Sequence, residues 1–175
     1  MNTETIDREI ISFEVVGQPA TQGSKVEQVI RGKGGVPIVK NGRTLTTIRE
    51  DNPRLAQWRQ EVAHAASQVY SGPLLTGAVT LTLAFGRPRP KSHYGTGRNA
   101  NVLKPSAPKY PITKPDVSKL TRAVEDALTG VIWRDDSQVQ CLHVTKEFTE
   151  RFHVWVTVET ELEHPESPAT DGQRG

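Results

Sequence analysis

The chain holds a single cysteine, Cys141, in 175 residues. No intramolecular disulfide can form, and no cysteine-built zinc site is available. No apolar run approaches the ~20 residues that a membrane-spanning helix needs. The first ten residues, MNTETIDREI, lack the apolar stretch of a secretory signal, so a cytoplasmic protein with no membrane attachment is expected. Hydrophobic residues make up only 35% of the chain, against 14 glycines and 12 prolines. That balance predicts one modest core carrying long irregular segments. A phosphate-cradling glycine loop is also missing. Gly32 to Gly35 has neither the Gly-Lys-Ser/Thr ending nor the strand–loop–helix setting. His64, His93, His143 and His153 show no metal-ligand spacing.

Charge is scarce in sum but unevenly placed. The net value is +2, yet from Arg87 to Arg122 nine lysines and arginines face one acid, Asp116. From Glu159 to Gly175 five acids face Arg174 alone. A basic block inside a nearly neutral chain suggests a polyanionic partner. The plainer reading is a solvated loop whose charge only confers solubility.

Ile11, Phe13 and Val15 alternate with polar residues and predict an opening strand. Gly17 to Ser24 is turn chemistry. Val26–Ile30 and Val36–Val39 predict a hairpin, and Thr44–Ile48 a further strand. Asn52–Pro53 reads as a helix start, with Asn52 as N-cap. Leu55, Trp58, Val62, Ala65, Ala66 and Val69 follow at helical spacing, and Gly72–Pro73 ends the run. Val79, Leu81, Leu83 and Phe85 form the clearest strand. Residues 86–112 show neither period and are read as a long mobile basic loop. A second helix is predicted from Asp116 to Thr129, then strands over Gln138–Lys146 and Arg151–Thr160. The expected fold is α+β: one domain over residues 1–162, with two main helices packed on a small mixed or antiparallel sheet. A disordered tail is expected over 163–175.

The candidate chemistry lies around the second helix. Asp116 opens it, and Asp135–Asp136 follow its exit segment. Hard divalent cations take oxygen ligands, and carboxylates from separate elements supply them. Lys114, Lys119 and Arg122 stand nearby to neutralise phosphate charge. Each acid also has a bland reading. An Asp at a helix start is commonly an N-cap, and an Asp–Asp pair between elements is commonly a turn. Glu125 and Asp126 read as a solvated face, with Arg122 as a surface partner for Asp126. Trp58, Trp133 and Trp155 read as core or sheet packing.

The stretch from Thr113 to Val139, TKPDVSKLTRAVEDALTGVIWRDDSQV, resembles the signature of RusA-family endonucleases. That signature runs T-K-P-D-x-D-N-L-x-K, a helix ending D-A-L, a short aromatic segment, then D-D-x-Q-V and a strand. GQPATQGSK, NPRL, KSHY and LKPSAPKY are similar to phage members from actinobacterial hosts. The resemblance implies a small homodimeric nuclease that resolves four-way DNA junctions, for recombination and repair, using magnesium (manganese as an alternative). It puts the catalytic acids at Asp116 and Asp136, with Asp135 as a further metal ligand, and the helix lysine at Arg122. Arg87, Arg89, Lys91, Arg98, Lys104, Lys109, Lys114 and Lys119 are then the expected DNA contacts. Two positions depart from the signature: its second acid is Ser118 here, and its asparagine is Lys119. Loss of that carboxylate keeps a second expectation open, a non-catalytic structure-selective DNA-binding protein on the same fold. A hydrolase for small phosphate esters would use the acids but leaves the basic block without a purpose.

Overall fold

The computed structural model describes residues 8–23, 25–50 and 52–161, so the expected tail over 163–175 falls outside the described residues. The chain forms β1 (Arg8–Val16), β2 (Lys25–Val29), β3 (Val39–Lys40), β4 (Arg43–Thr44), β5 (Thr46–Glu50) and α1 (Leu55–Val69). Then come β6 (Val79–Pro88), α2 (Val117–Leu128), β7 (Val139–Thr149) and β8 (His153–Glu161). The main sheet has the order β1-β8-β6-β7, antiparallel except for the parallel pair β6–β7. It is the mixed sheet of an α+β domain, as expected. Parallel neighbours need a long crossover, and the segment from residue 89 to 138, with α2 inside it, supplies one.

Strand alternation sends one face of the sheet inward. Ile11, Phe13, Val15, Val79, Leu81, Leu83, Phe85, Val154, Val156 and Val158 are all buried there. The helices close this face with Leu55, Trp58, Val62 and Ala66 from α1 and Leu120, Val124, Ala127 and Leu128 from α2. Trp58 and Trp133 lie in the core as their sequence context suggests, whereas Trp155 is half-exposed on the opposite face. Ile10 and Val16 are exposed on that second face too.

Three local expectations need correction. Asn52 is not at the N-cap. Its Oδ1 accepts from the Arg54 amide at 3.1 Å, two residues on, and the helix begins at Leu55. Val26–Ile30 and Val36–Val39 form the expected hairpin only at their ends, where the Ile38 amide donates to the Ile30 carbonyl at 2.9 Å and Arg31 bridges Pro37. β2 pairs with β5, while β3 and β4 form their own hairpin through Asn41–Gly42. Both turn residues have positive φ, 52° and 73°, the geometry for which Asn-Gly is suited. The backbones of Ile30, Ile38 and Leu45 join the two pairs by a ring of hydrogen bonds of 2.8–2.9 Å. Asp126 is paired with Arg59 of α1, not with Arg122.

The basic segment over 86–112 is also more ordered than its lack of period implied. β6 continues through Gly86 to Pro88, pairing with Glu147 to Thr149. Beyond it, Tyr94 bridges Leu103, and the Lys104 amide donates to the His93 carbonyl at 2.9 Å. Arg89 stacks over Phe148 at 4.0 Å and donates to the Pro108 carbonyl at 2.7 Å. Cationic side chains thus fold this segment back on itself by satisfying carbonyl oxygens that prolines and turns leave without backbone partners.

Candidate active-site cleft

The first turn of α2 carries the candidate acid. Asp116 has extended backbone (φ −74°, ψ 139°) at the N-cap, but its side chain makes no capping hydrogen bond. The capping role is therefore not what occupies its carboxylate. That group is half-exposed and faces the Lys119 ammonium at 3.9 Å. Asp116 lines a cleft with Lys114, Pro115, Lys119, Gln18, Ala20, Thr21, Asn52 and Arg54. The turn after β1 forms the opposite wall and is tied in place from two sides. The Gln22 amide donates to the Lys119 carbonyl at 3.1 Å, and Asn52 Nδ2 donates to the Thr21 carbonyl at 3.0 Å.

A smaller cavity of about 160 Å³ adjoins the cleft and shares Gln18, Pro19, Lys114 and Pro115 with it. Phe85, Gly86, Leu120, Phe152, Arg87 and Lys146 complete its lining. Two long cations brace the segment that leads into Asp116. Arg87 donates to the Lys114 carbonyl at 3.0 Å. Lys146 Nζ donates to the Thr113 carbonyl at 3.1 Å and the Pro115 carbonyl at 2.9 Å. Sequence reasoning missed Lys146. A lysine on an edge strand reads as solvated.

Asp135 and Asp136 do not line this cleft. Asp135 caps the single 3-10 turn Asp136–Gln138: its carboxylate accepts from the Ser137 amide at 2.9 Å, and Gln138 answers from the other side. Ser137 hydrogen bonds, from side chain and backbone, hold the Asp135 carboxyl below its ordinary range, and a hydrogen bond to Asp136 adds to this. Its bland reading as a turn residue thus describes its local role. Asp136 instead lies within electrostatic reach of Glu125 in the last turn of α2. Nine residues of helix, about 13 Å of rise, separate positions 116 and 125. Arg122 is exposed, outside the cleft, and acts on Glu125. Among the described residues no three His, Cys, Asp or Glu side chains are grouped as a metal ion would need.

Partial burial raises the Glu125 carboxyl above its ordinary value, Asp136 and Asp126 push the same way, and Arg122 opposes them. The folded state therefore favours protonated Glu125. Its ionisation costs stability as pH rises through the folded value, and costs nothing below the unfolded value. Glu125→Gln should accordingly raise the melting temperature at about pH 7.5 and leave it nearly unchanged at about pH 3. Equal shifts at both pH values would point to packing and not to charge.

The remaining expected DNA contacts divide into two groups. Arg87, Arg89 and Lys104 spend donors on backbone carbonyls, Lys104 reaching Ser92 at 2.8 Å. Lys91, Arg98 and Lys114 are exposed, as is Lys109, which lies 5.1 Å from the Tyr110 ring centre.

Against known proteins, residues 35–159 match the family model described as "Endodeoxyribonuclease RusA". The chain is also 34% identical over 151 residues to the uncharacterized protein YqaN of Bacillus subtilis (strain 168), spanning 85% of this chain and 94% of that one.

Proposed function

The chain belongs to the RusA family of endodeoxyribonucleases, and from that premise we propose that it cuts four-way DNA junctions in a divalent-metal-dependent reaction serving recombination and repair. The observation that carries this reading is Asp116, an uncapped carboxylate in a cleft whose other charged members are Lys114, Lys119 and Arg54. An acid among cations suits a phosphodiester better than it suits a neutral substrate.

The donor set fits magnesium, with manganese as the alternative. Magnesium is usually held by one or two carboxylates, with waters and substrate phosphates completing its shell. We assign Asp116 as the carboxylate that would hold the ion in the cleft, while Asp136 and Asp135, the further metal ligands that the family resemblance implies, lie outside that cleft and would have to approach it for the same ion to take them. A bound ion would supply Lewis acidity at the phosphoryl oxygen and a more acidic water. Lys114 and Lys119 hold the phosphate and offset charge that builds on the phosphoryl oxygens, while Arg122, at the position of the helix lysine, stands outside the cleft and adds positive charge farther along α2. Arg87, Arg89, Lys91, Arg98, Lys104 and Lys109 follow the flanking backbone. A homodimer would match the two-fold symmetry of a junction, and the sheet face that carries Ile10, Val16 and Trp155 offers apolar surface for it.

A non-catalytic junction-binding protein is the second reading, favoured by Ser118 and Lys119 at the positions of the family's acid and asparagine. Cleavage of a synthetic four-way junction, with magnesium and with chelator, separates the two. Ser118→Asp should lower the magnesium needed for half-maximal cleavage by roughly tenfold, since it adds a charged ligand two residues from Asp116. Position 118 lies in the first helical turn, where negative charge suits the helix dipole, so folding should not suffer. A wild type that binds junctions without cutting, and cuts once Ser118 is Asp, would establish the second reading.

A further inference from the structure

The excursion between β1 and α1 has no place in the proposed chemistry, yet it grows from the rim of the cleft. Its two roots, Thr21 and Asn52, both line the cleft with Asp116 and are joined by a hydrogen bond of 3.0 Å. From there β2 and β5 run out as a two-stranded antiparallel ribbon, ending in the Lys33–Gly35 turn and the β3–β4 hairpin. No described residue from 26 to 48 is buried, and only Val29 and Leu45 are partly buried. Among the described residues the ribbon pairs with itself and makes no extended contact with the sheet or the helices. Such a projection contributes little to the core, so its sequence is free to serve a partner.

Its charge says which partner. Residues 30–45 contain Arg31, Lys33, Lys40 and Arg43 and no acid. Lys33 lies in one turn, and Lys40 and Arg43 flank the other, paired across the hairpin. Arg31 braces the first turn through the Gly35 carbonyl at 2.8 Å. Gly34, Gly35 and Gly42 have positive φ and open space around them, which keeps the tips slim. A two-stranded ribbon is of a size to enter a DNA groove, and its backbone edges and cations suit phosphates. A second copy of the chain is the poorer occupant, because two tips of this charge repel each other.

We propose that residues 25–50 form a DNA-gripping arm, which holds the duplex leading away from the cleft by contacts to its phosphates. The inference rests on the nuclease reading above. Seven residues from 25 to 31 reach about 20 Å at ~3.3 Å per residue, or roughly six base pairs of one duplex arm at ~3.4 Å each.

The test is the triple variant Lys33→Ala, Lys40→Ala, Arg43→Ala, titrated against a synthetic four-way junction at several salt concentrations. Each lost phosphate contact removes about 0.9 from the log–log slope of affinity against salt. The slope should thus become shallower by ~2.7, and the loss of affinity between about 50 and 200 mM salt should shrink roughly 40-fold. The three side chains are exposed, so the melting temperature should not move. An unchanged slope alongside steep wild-type binding would overturn the arm and leave the nuclease reading standing. A wild type that binds no branched DNA would overturn that reading, and the arm with it. If Val36→Ser with Val39→Ser splits a dimer while the triple variant binds normally, the ribbon is a protein interface and the inference is wrong.

Discussion

Asp116→Asn is expected to reduce junction cleavage by about 10³-fold or more while leaving junction binding intact or tighter. A metal-held phosphate draws several kcal/mol of transition-state stabilisation from its ion, and each 1.36 kcal/mol is about tenfold in rate. Asparagine keeps the shape of the side chain and its suitability for the N-cap, so α2 should form as before. What is lost is the negative charge. For a cation this removes the strongest ligand in the cleft. For DNA it removes a repulsion, because the carboxylate shares the cleft with Lys114, Lys119 and Arg54. Single-turnover cleavage at saturating junction, run beside a binding titration, reads both effects. Wild-type cleavage by the variant would show that Asp116 is no ligand. Loss of binding together with cleavage would show that Asp116 works by ordering the cleft.

The strands of the core were legible because their apolar residues alternate. Val79, Leu81, Leu83 and Phe85, and Val154, Val156 and Val158, all face inward as their period requires. Both helices were legible for the same reason at period 3.6. The arm was not. Thr46–Glu50 has no apolar face, so nothing in its pattern announces β2 as its partner. The basic segment hid its order because cationic side chains hold it by hydrogen bonds to backbone carbonyls, which have no sequence period. Within the site, the position of Asp116 was legible and its missing capping bond was not, since a cap is a matter of side-chain rotation. For Asp135 the reading of an Asp–Asp pair between elements as a turn favoured a local role, and the side chain adopts it. The mutual influence of Glu125 and Asp136 depends on how the chain returns after α2, which no local pattern encodes.

Lys146→Met is expected to lower kcat about 10²-fold with little change in the salt slope of DNA binding. Lys146 stands opposite Phe85 in the parallel pair of β6 and β7. From that position its ammonium reaches two carbonyls of the segment just before α2, those of Thr113 and Pro115. Hydrogen bonds to a charged group contribute about 1.5–3 kcal/mol. Here they fix the backbone that places Asp116, and a displacement of ~1 Å at a reacting centre costs about 10²-fold. Methionine matches the length of the stem but donates nothing, so both carbonyls lose their partner. Because the ammonium is committed to carbonyls and not to phosphate, the number of DNA contacts should stay the same. The expected signature is therefore a fall in kcat with KM nearly constant, partly restored in Lys146→Arg, whose guanidinium can still donate. Thermal melting separates this from general damage, since loss of one edge-strand anchor should leave a cooperative transition. A flattened salt slope in Lys146→Met would instead make Lys146 a phosphate contact. Wild-type kcat in a folded Lys146→Met protein would show that the path into α2 is held without it.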